Sequence, residues 1–267
     1  MRPFDYHRPA TVADACALLA SRPEAKLIAG GQSLLPTLRL RLAAPSDLVD
    51  LSQIAELRGV TADSQTLRIG AMMRHAEIAE ALDVRQAIPA LATLAGGIGD
   101  RQVRNRGTLG GSIANNDPAA CYPAAALALG ASIRTSKRQI AIGDYLRGLY
   151  ETCLESDEIV TAVSFPIPKR AAYYKFQQPA SRFALVGVFV AQFADRVRVA
   201  VTGAGMSGAF RVSEFEAALQ QSFTTSALQA IKVDEANLAS DLHASAAYRA
   251  HLIKVLTRRG VDQCLEK

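Results

Sequence analysis

What this chain lacks narrows its chemistry before any motif is read. Its four cysteines, Cys16, Cys121, Cys153 and Cys264, are scattered with no C-x-x-C pair or other ligand spacing. Neither an iron–sulfur cluster nor a structural zinc is therefore expected within the chain, and the cysteines read as reduced, partly buried thiols. The four histidines, His7, His75, His243 and His251, make no metal site either, and nothing has the arrangement of a self-sufficient hydrolytic or transfer site. No catalytic or metal-ligating residue is expected, which leaves a bound organic cofactor as the source of any chemistry. No Gly-x-Gly-x-x-Gly opens a helix and no Gly-Lys-Ser/Thr ends a loop, so a Rossmann dinucleotide site and a P-loop are disfavoured.

Long apolar runs are missing too. No segment approaches the roughly 18 residues that span a bilayer, and Met1 to Asp5 leads into nothing like a signal segment; a cytoplasmic protein without a membrane span is expected. The net charge of +5 is dispersed, its densest group being Arg101, Arg104 and Arg106. Without an extended basic face interleaved with stacking aromatics, no nucleic-acid partner is expected. With 267 residues, 49% of them hydrophobic, the chain is long enough to bury two or three modest domains.

Two glycine-rich loops stand out against these absences: Ile28-Ala29-Gly30-Gly31-Gln32-Ser33, and Gly107-Thr108-Leu109-Gly110-Gly111-Ser112-Ile113-Ala114. Each carries a Gly-Gly pair followed by a hydroxyl or amide side chain. The first lies behind the apolar run Leu27 to Ala29, which reads as a strand feeding a backbone nest of phosphate size. Glycine lets N–H groups approach an anion with no Cβ in the way, and Ser and Thr add hydroxyl donors. Either loop alone reads as a turn. Together they suit a diphosphate, which has more acceptor oxygens than one tight turn can reach.

Periodicity places these loops in an α+β chain. A helix is expected from Thr11 to Leu19, with Thr11 as its cap and Val12, Cys16 and Leu19 on one face, followed by a strand over Lys26 to Ala29. Leu34 to Leu42 alternates in a strand-like way, with room for one helical turn before Pro36, and Asp47 to Leu51 reads as a strand. A second unit is expected to hold strands at Thr66 to Ile69 and Glu158 to Phe165, a hairpin over 132–142, and helices over Ala76 to Leu82, Ile88 to Leu94 and Pro123 to Leu129. Pro166 and Pro168 mark its exit. Beyond them Tyr173 to Phe176, Leu185 to Phe193 and Val197 to Thr202 read as antiparallel strands. A helix over Ala246 to Arg259 follows, with Tyr248, Leu252, Val255 and Leu256 on one face and Gly260 at its end.

Three stretches carry a family resemblance: Ala29 to Leu42 (A-G-G-Q-S-L-L-P-T-L-R-L-R-L), Gly99 to Ala131, and Ser240-Asp241-Leu242-His243-Ala244-Ser245 with Tyr248, Arg249 and Leu252. They closely resemble the FAD-binding medium subunit of molybdenum hydroxylases, in the family of carbon monoxide dehydrogenase medium chains and xanthine dehydrogenase FAD-binding subunits. The resemblance implies a two-subdomain FAD-binding module of the PCMH type (vanillyl-alcohol-oxidase-like), divided at 1–55 and 56–170. A C-terminal antiparallel sheet with helices would follow over 171–267. It implies FAD held by Leu27, Ile28, Ala29, Gly30, Gly31, Gln32, Ser33 and Leu34 in the first loop and by Thr108, Leu109, Gly110, Gly111 and Ser112 in the second. Ile98 would lie near the flavin ring, Ile159 would offer a backbone contact to a ring edge, and Lys175 or its neighbour Gln177 would be the polar side chain nearby. The molybdenum cofactor and 2Fe-2S clusters are expected only in partners, a large molybdopterin-binding subunit and a small iron–sulfur subunit. The implied role is electron transfer from those clusters through FAD to an external acceptor.

One departure stands out. After Asp117-Pro118-Ala119-Ala120 the family usually has an aspartate that meets the sugar-alcohol hydroxyls of FAD, and this chain has Cys121. Loss of a charge-assisted hydrogen bond would weaken binding by roughly 1.5–3 kcal/mol, unless Asn115, Asn116 or Asp117 compensates. Two other readings remain: a flavin-binding or assembly module without redox turnover of its own, and an independent flavin oxidase, which Gln32 disfavours by standing where covalent flavin attachment would use His.

Overall fold

The first fifty residues build a small α/β unit whose sheet is wholly parallel. In the computed structural model, which describes residues 1–266, β1 (Asp5–His7), α1 (Val12–Ser21), β2 (Lys26–Ile28), α2 (Leu34–Arg39) and β3 (Asp47–Asp50) form a sheet of order β1-β3-β2. Thr11 caps α1 by accepting a hydrogen bond from the Asp14 amide at 3.1 Å, and Ala15 and Leu19 are the buried face. The alternating segment after the first loop is a helix and not a strand. Leu34, Leu35 and Leu38 fall on one side of it, Leu38 is buried, and Pro36 occupies the first turn, where its missing amide costs nothing. Arg41, at φ 59°, ends that helix, and Leu40 and Leu42 are left exposed.

The middle of the chain holds the second sheet. Its elements are β4 (Val60–Ala62), β5 (Thr66–Gly70), α3 (His75–Glu80), α4 (Leu82–Ala87), α5 (Pro89–Gly96), α6 (Arg101–Arg104), α7 (Leu109–Asn115), α8 (Cys121–Leu129), β6 (Ser132–Thr135), β7 (Gln139–Ala141), α9 (Ile142–Tyr145), β8 (Leu146–Gly148), β9 (Glu151–Thr152) and β10 (Val160–Pro166). The sheet runs β4-β5-β10-β6-β7, and β8 pairs with β9 as a separate hairpin. The expected helix over 76–82 is broken at Ala81, whose extended backbone separates α3 from α4. Strand β4 and helices α4 and α6 are too short to leave a periodic signature. The second glycine loop proves to be the first turn of α7.

The third sheet, β11 (Arg170–Gln177), β12 (Ala184–Gln192), β13 (Val197–Thr202) and β14 (Phe210–Arg211), is antiparallel and followed by α10 (Ser213–Gln221) and α11 (Ala246–Leu265). β12 is buried along nearly its whole length because both its faces are covered. Phe189 and Ala191 join the core of the middle unit, whereas Val186, Val188 and Val190 pack with α11 residues Leu252, Ile253 and Leu256. Gly260 does not end the last helix. It lies inside it, where an added Cβ would stand 3.0 Å from Val190, so glycine permits close approach of helix to sheet. Of the residues expected on one face of this helix, Leu252 and Leu256 are buried, whereas Tyr248 is exposed, edge-on to Phe176, and Val255 is half-buried. Buried Arg249 ties α11 down by donating to the carbonyls of Leu185 and Gly203 and to the carboxylate of Asp241, each at 2.7 Å.

Candidate functional site

The two glycine loops, far apart in sequence, lie against each other. A Cβ on Gly30 would fall on the backbone of Arg106 and Gly107, so only glycine lets the segments meet there, and Gly31 sits at φ 71°, a left-handed conformation natural to glycine. Beyond strand β2 the chain offers a run of donors. Among the described residues, the amides of Gly30, Gly31, Gln32 and Ser33 donate to no protein group, and neither does the Ser33 hydroxyl. Gln32 turns its side chain inward instead, donating to the Gly30 carbonyl at 3.3 Å. Leu27, Ile28 and Ala29 behind the loop, with Leu34 after it, are half-buried. Consecutive amides without acceptors, at the surface and not in the core, offer the donor set of an anion nest.

The second loop is organised differently. Thr108 caps α7, accepting from the Gly111 amide at 3.1 Å, while the Gly110 amide donates to the Ala71 carbonyl at 2.8 Å and that of Leu109 to the Met73 carbonyl at 3.0 Å. Its glycine amides are thus already committed within the protein. A Cβ on Gly110 would stand 2.6 Å from the Ala71 side chain, so this glycine serves close packing on the segment after β5. Ser112, half-buried, keeps a hydroxyl free of protein partners. The first loop supplies free amides, and the second supplies a rigid wall beside them.

Around these loops the remaining candidates fall into two groups. Ile98, half-buried, follows α5, and its carbonyl and that of Gly99 accept from Arg104 Nη1 at 3.1 and 3.0 Å. The ammonium of Lys175, on β11, reaches back to the Gly97 carbonyl at 2.5 Å and the Arg182 carbonyl at 3.2 Å, and stands 3.8 Å from the thiol of Cys121. Lys175 thus links Cys121 to the segment that immediately precedes Ile98. Ile159 lies elsewhere, 1% exposed in the core of the N-terminal unit beside Leu51 and Met72. Both of its main-chain groups engage Ser136: its amide donates to Ser136 Oγ at 3.1 Å, and its carbonyl accepts from the Ser136 amide at 2.8 Å. Asp117 Oδ1 accepts from the Ala119 amide at 2.8 Å and Oδ2 from the Tyr150 hydroxyl at 3.3 Å. Asn116 is buried, its side-chain NH2 donating to the carbonyls of Gly148 and Glu151 at 2.8 and 2.9 Å.

Two titratable groups brace this region without having been singled out from sequence. Burial, and then the charge of Arg104, push His75 down to about 4, so it is a neutral imidazole packed 5.4 Å from the ring of Tyr122. The Arg138 fork beside Glu158, helped by the Thr135 hydroxyl and the Glu155 amide, holds that carboxyl down at about 2. That pair fixes the chain immediately before Ile159. Neither pairing leaves a sequence motif, because the partners come from different elements. A Gly-x-Gly-x-x-Gly spacing does occur, at Gly203, Gly205 and Gly208 after β13. It leads into β14 and not into a helix, and Gly203 backs onto the Ala184 carbonyl, so it is a packed turn.

Among the described residues no cluster of His, Cys, Asp and Glu could hold a metal ion, all four cysteines are free of disulfides, and no helix is long and apolar enough to cross a membrane. Residues 2–168 match the family described as the FAD binding domain in molybdopterin dehydrogenase. The chain is 36% identical over 272 residues to the nicotine 6-hydroxylase medium subunit of Paenarthrobacter nicotinovorans, covering 96% of this chain and 95% of that one. It is 32% identical over 275 residues to the carbon monoxide dehydrogenase medium chain of Hydrogenophaga pseudoflava, covering 97% and 96%. Among solved structures it superposes on a chain of the reconstituted CO dehydrogenase from Oligotropha carboxidovorans with a TM-score of 0.90 at 31% identity, covering 98% of each. The chain belongs to this family, as an FAD-binding medium subunit of the molybdenum hydroxylase type.

Proposed function

We propose that the free amides of Gly30, Gly31, Gln32 and Ser33 receive the diphosphate of FAD, and that this nest is the observation on which the site assignment rests. Ser33 and Ser112 add hydroxyl donors from the two facing loops. Thr108, Leu109, Gly110 and Gly111 act through the backbone, holding the α7 turn that walls the nest. Ile98 and Lys175 would hold the ring system, and Cys121, 3.8 Å from the Lys175 ammonium, would face the sugar-alcohol portion. When bound, FAD accepts electrons singly and delivers them in pairs, which suits a junction between one-electron carriers and a two-electron acceptor. The protein's part is to position the cofactor and to surround it with fixed dipoles.

In this reading residues 1–55 and 56–170 are the two subdomains that share the cofactor. Residues 171–267, whose last residue lies outside the described ones, form the C-terminal domain. The partners are a small iron–sulfur subunit and a large molybdopterin-binding subunit in the cytoplasm. The test is reconstitution: the purified chain is titrated with FAD and with FMN, and noncovalent binding that favours FAD is expected. Equal affinities would remove the diphosphate from the argument. A complex that turns over normally without flavin in this chain would favour an assembly role.

A further inference from the structure

The face of the middle unit formed by α3, α5 and α6 carries a cleft of about 560 Å³. None of the residues assigned above to FAD lines it. Its size is that of a single small organic ligand, and its rim carries three guanidinium groups, from Arg85, Arg101 and Arg104.

Two of these are held in place and still have donors to spare. Arg85 is anchored through Nε to the Ala79 carbonyl at 2.8 Å, and Arg104 through Nη1 to the carbonyls of Ile98 and Gly99. Among the described residues none of the three makes an ion pair. The neighbouring carboxylate of Glu77 is already taken by Arg58 and Arg74, each at 2.6 Å, which leaves Glu80 as the one acidic group on the cleft. Anchored forks without a carboxylate partner suit a phosphate or carboxylate better than isolated flexible lysines do. The cleft lining also includes the small residues Ala79, Ala92 and Gly96. A flat ring packed against these small residues would bring its anionic group to the arginines.

We propose that this cleft is a second ligand site, for an anionic molecule that joins a phosphate to a flat ring, the chemistry of a nucleotide. The site is separate from the FAD loops and borders the flavin-side segment through Gly96 and Arg104. A ligand there pulls on the same guanidinium that fixes the Ile98 carbonyl. Occupancy is therefore felt beside the cofactor.

Calorimetric titration of the FAD-saturated chain with ADP, with adenosine as the uncharged control, tests this. Saturable ADP binding at least tenfold tighter than adenosine is expected. A double variant, Arg85→Ala with Arg101→Ala, should weaken ADP at least tenfold with flavin content and melting temperature unchanged, since both side chains are exposed. Absence of saturable ADP binding, or equal binding of ADP and adenosine, overturns the proposal. So does unaltered ADP affinity in the double variant, which would place ADP on the FAD loops. Failure of the FAD assignment would instead show as a chain that never takes up flavin, a result read independently of the two arginines.

Discussion

The ammonium of Lys175 lies 3.8 Å from the Cys121 thiol while donating to the Gly97 carbonyl at 2.5 Å. A residue of the third sheet thereby reaches the start of α8 and the end of α5 at the edge of the candidate flavin site. The contact matters because Cys121 stands where the family resemblance implies an aspartate. Replacing Cys121 with Asp is expected to place a carboxylate beside Lys175 and restore an acceptor for the flavin hydroxyls. The Asn116 side-chain NH2 is committed to the carbonyls of Gly148 and Glu151. FAD should bind at least tenfold tighter in Cys121→Asp, in line with the roughly 1.5–3 kcal/mol of a hydrogen bond to a charged group. Flavin release during gel filtration measures this; equal release from both proteins would place the hydroxyls elsewhere.

The glycines of the two loops are expected to fail in different ways. Gly31 needs its left-handed backbone but has side-chain neighbours only, so Gly31→Ala should cost about 1–2 kcal/mol of strain and weaken FAD in a folded protein. Gly110→Val drives a side chain into the Ala71 backbone, and Gly30→Val into that of Arg106. Both should lower the melting temperature as well as abolish flavin binding, because each separates segments that must touch. Thermal melts of the apo variants distinguish the two classes. Unchanged melting in Gly110→Val would mean that α7 is free to shift.

Acid should destabilise the protein in two separate windows. The folded-state value of His75, about 4, lies below its ordinary 6.5. Unfolding takes up a proton there, so stability present above pH 6.5 is lost as pH falls toward 4, by roughly 3 kcal/mol in full. Glu158, held near 2 against an ordinary 4.5, adds a second loss between about pH 4.5 and 2. Denaturant midpoints measured across pH should show the first slope disappear in His75→Phe and the second in Glu158→Gln, the latter also costing roughly 1.5–3 kcal/mol at neutral pH. A wild-type slope retained in His75→Phe would assign the upper window to another group.

The parts of this fold legible in the sequence are those where local pattern and tertiary packing agree. Thr11 before an amphipathic run, Gly130 after α8, and the β12–β13 hairpin are such places. Where several short elements share one stretch the pattern is lost. The leucines of 34–42 alternate like a strand, yet Pro36 and the Leu34–Leu38 spacing serve a helix. Gly260 resembles a helix terminator until β12 is seen packed against it. The two glycine loops were legible as a pair, but their division of labour was not. Whether an amide is free or already bonded to Ala71 depends on a strand distant in sequence. The same holds for Ile159, whose burial against Met72 and pairing with Ser136 come from three separate elements.

The last prediction concerns what the chain does alone. In the proposed function electrons leave the organic substrate at the large partner subunit and reach this chain only through the small one. Isolated and FAD-loaded, it should show no dye reduction with aldehydes, purines, N-heterocycles or carbon monoxide. Artificial reductants should nevertheless bleach its flavin, since the cofactor itself remains competent. Substrate-dependent dye reduction should appear on co-expression with the small and large subunits. The docking surface is not the Leu252–Leu256 face of α11, because that face is consumed by the chain's own third sheet. Leu252→Met, a swap of similar volume, should therefore leave complex formation intact on size exclusion. Dye reduction by the isolated chain at the rate of the complex would overturn the electron-transfer role; loss of assembly in Leu252→Met at unchanged melting temperature would return α11 to the interface.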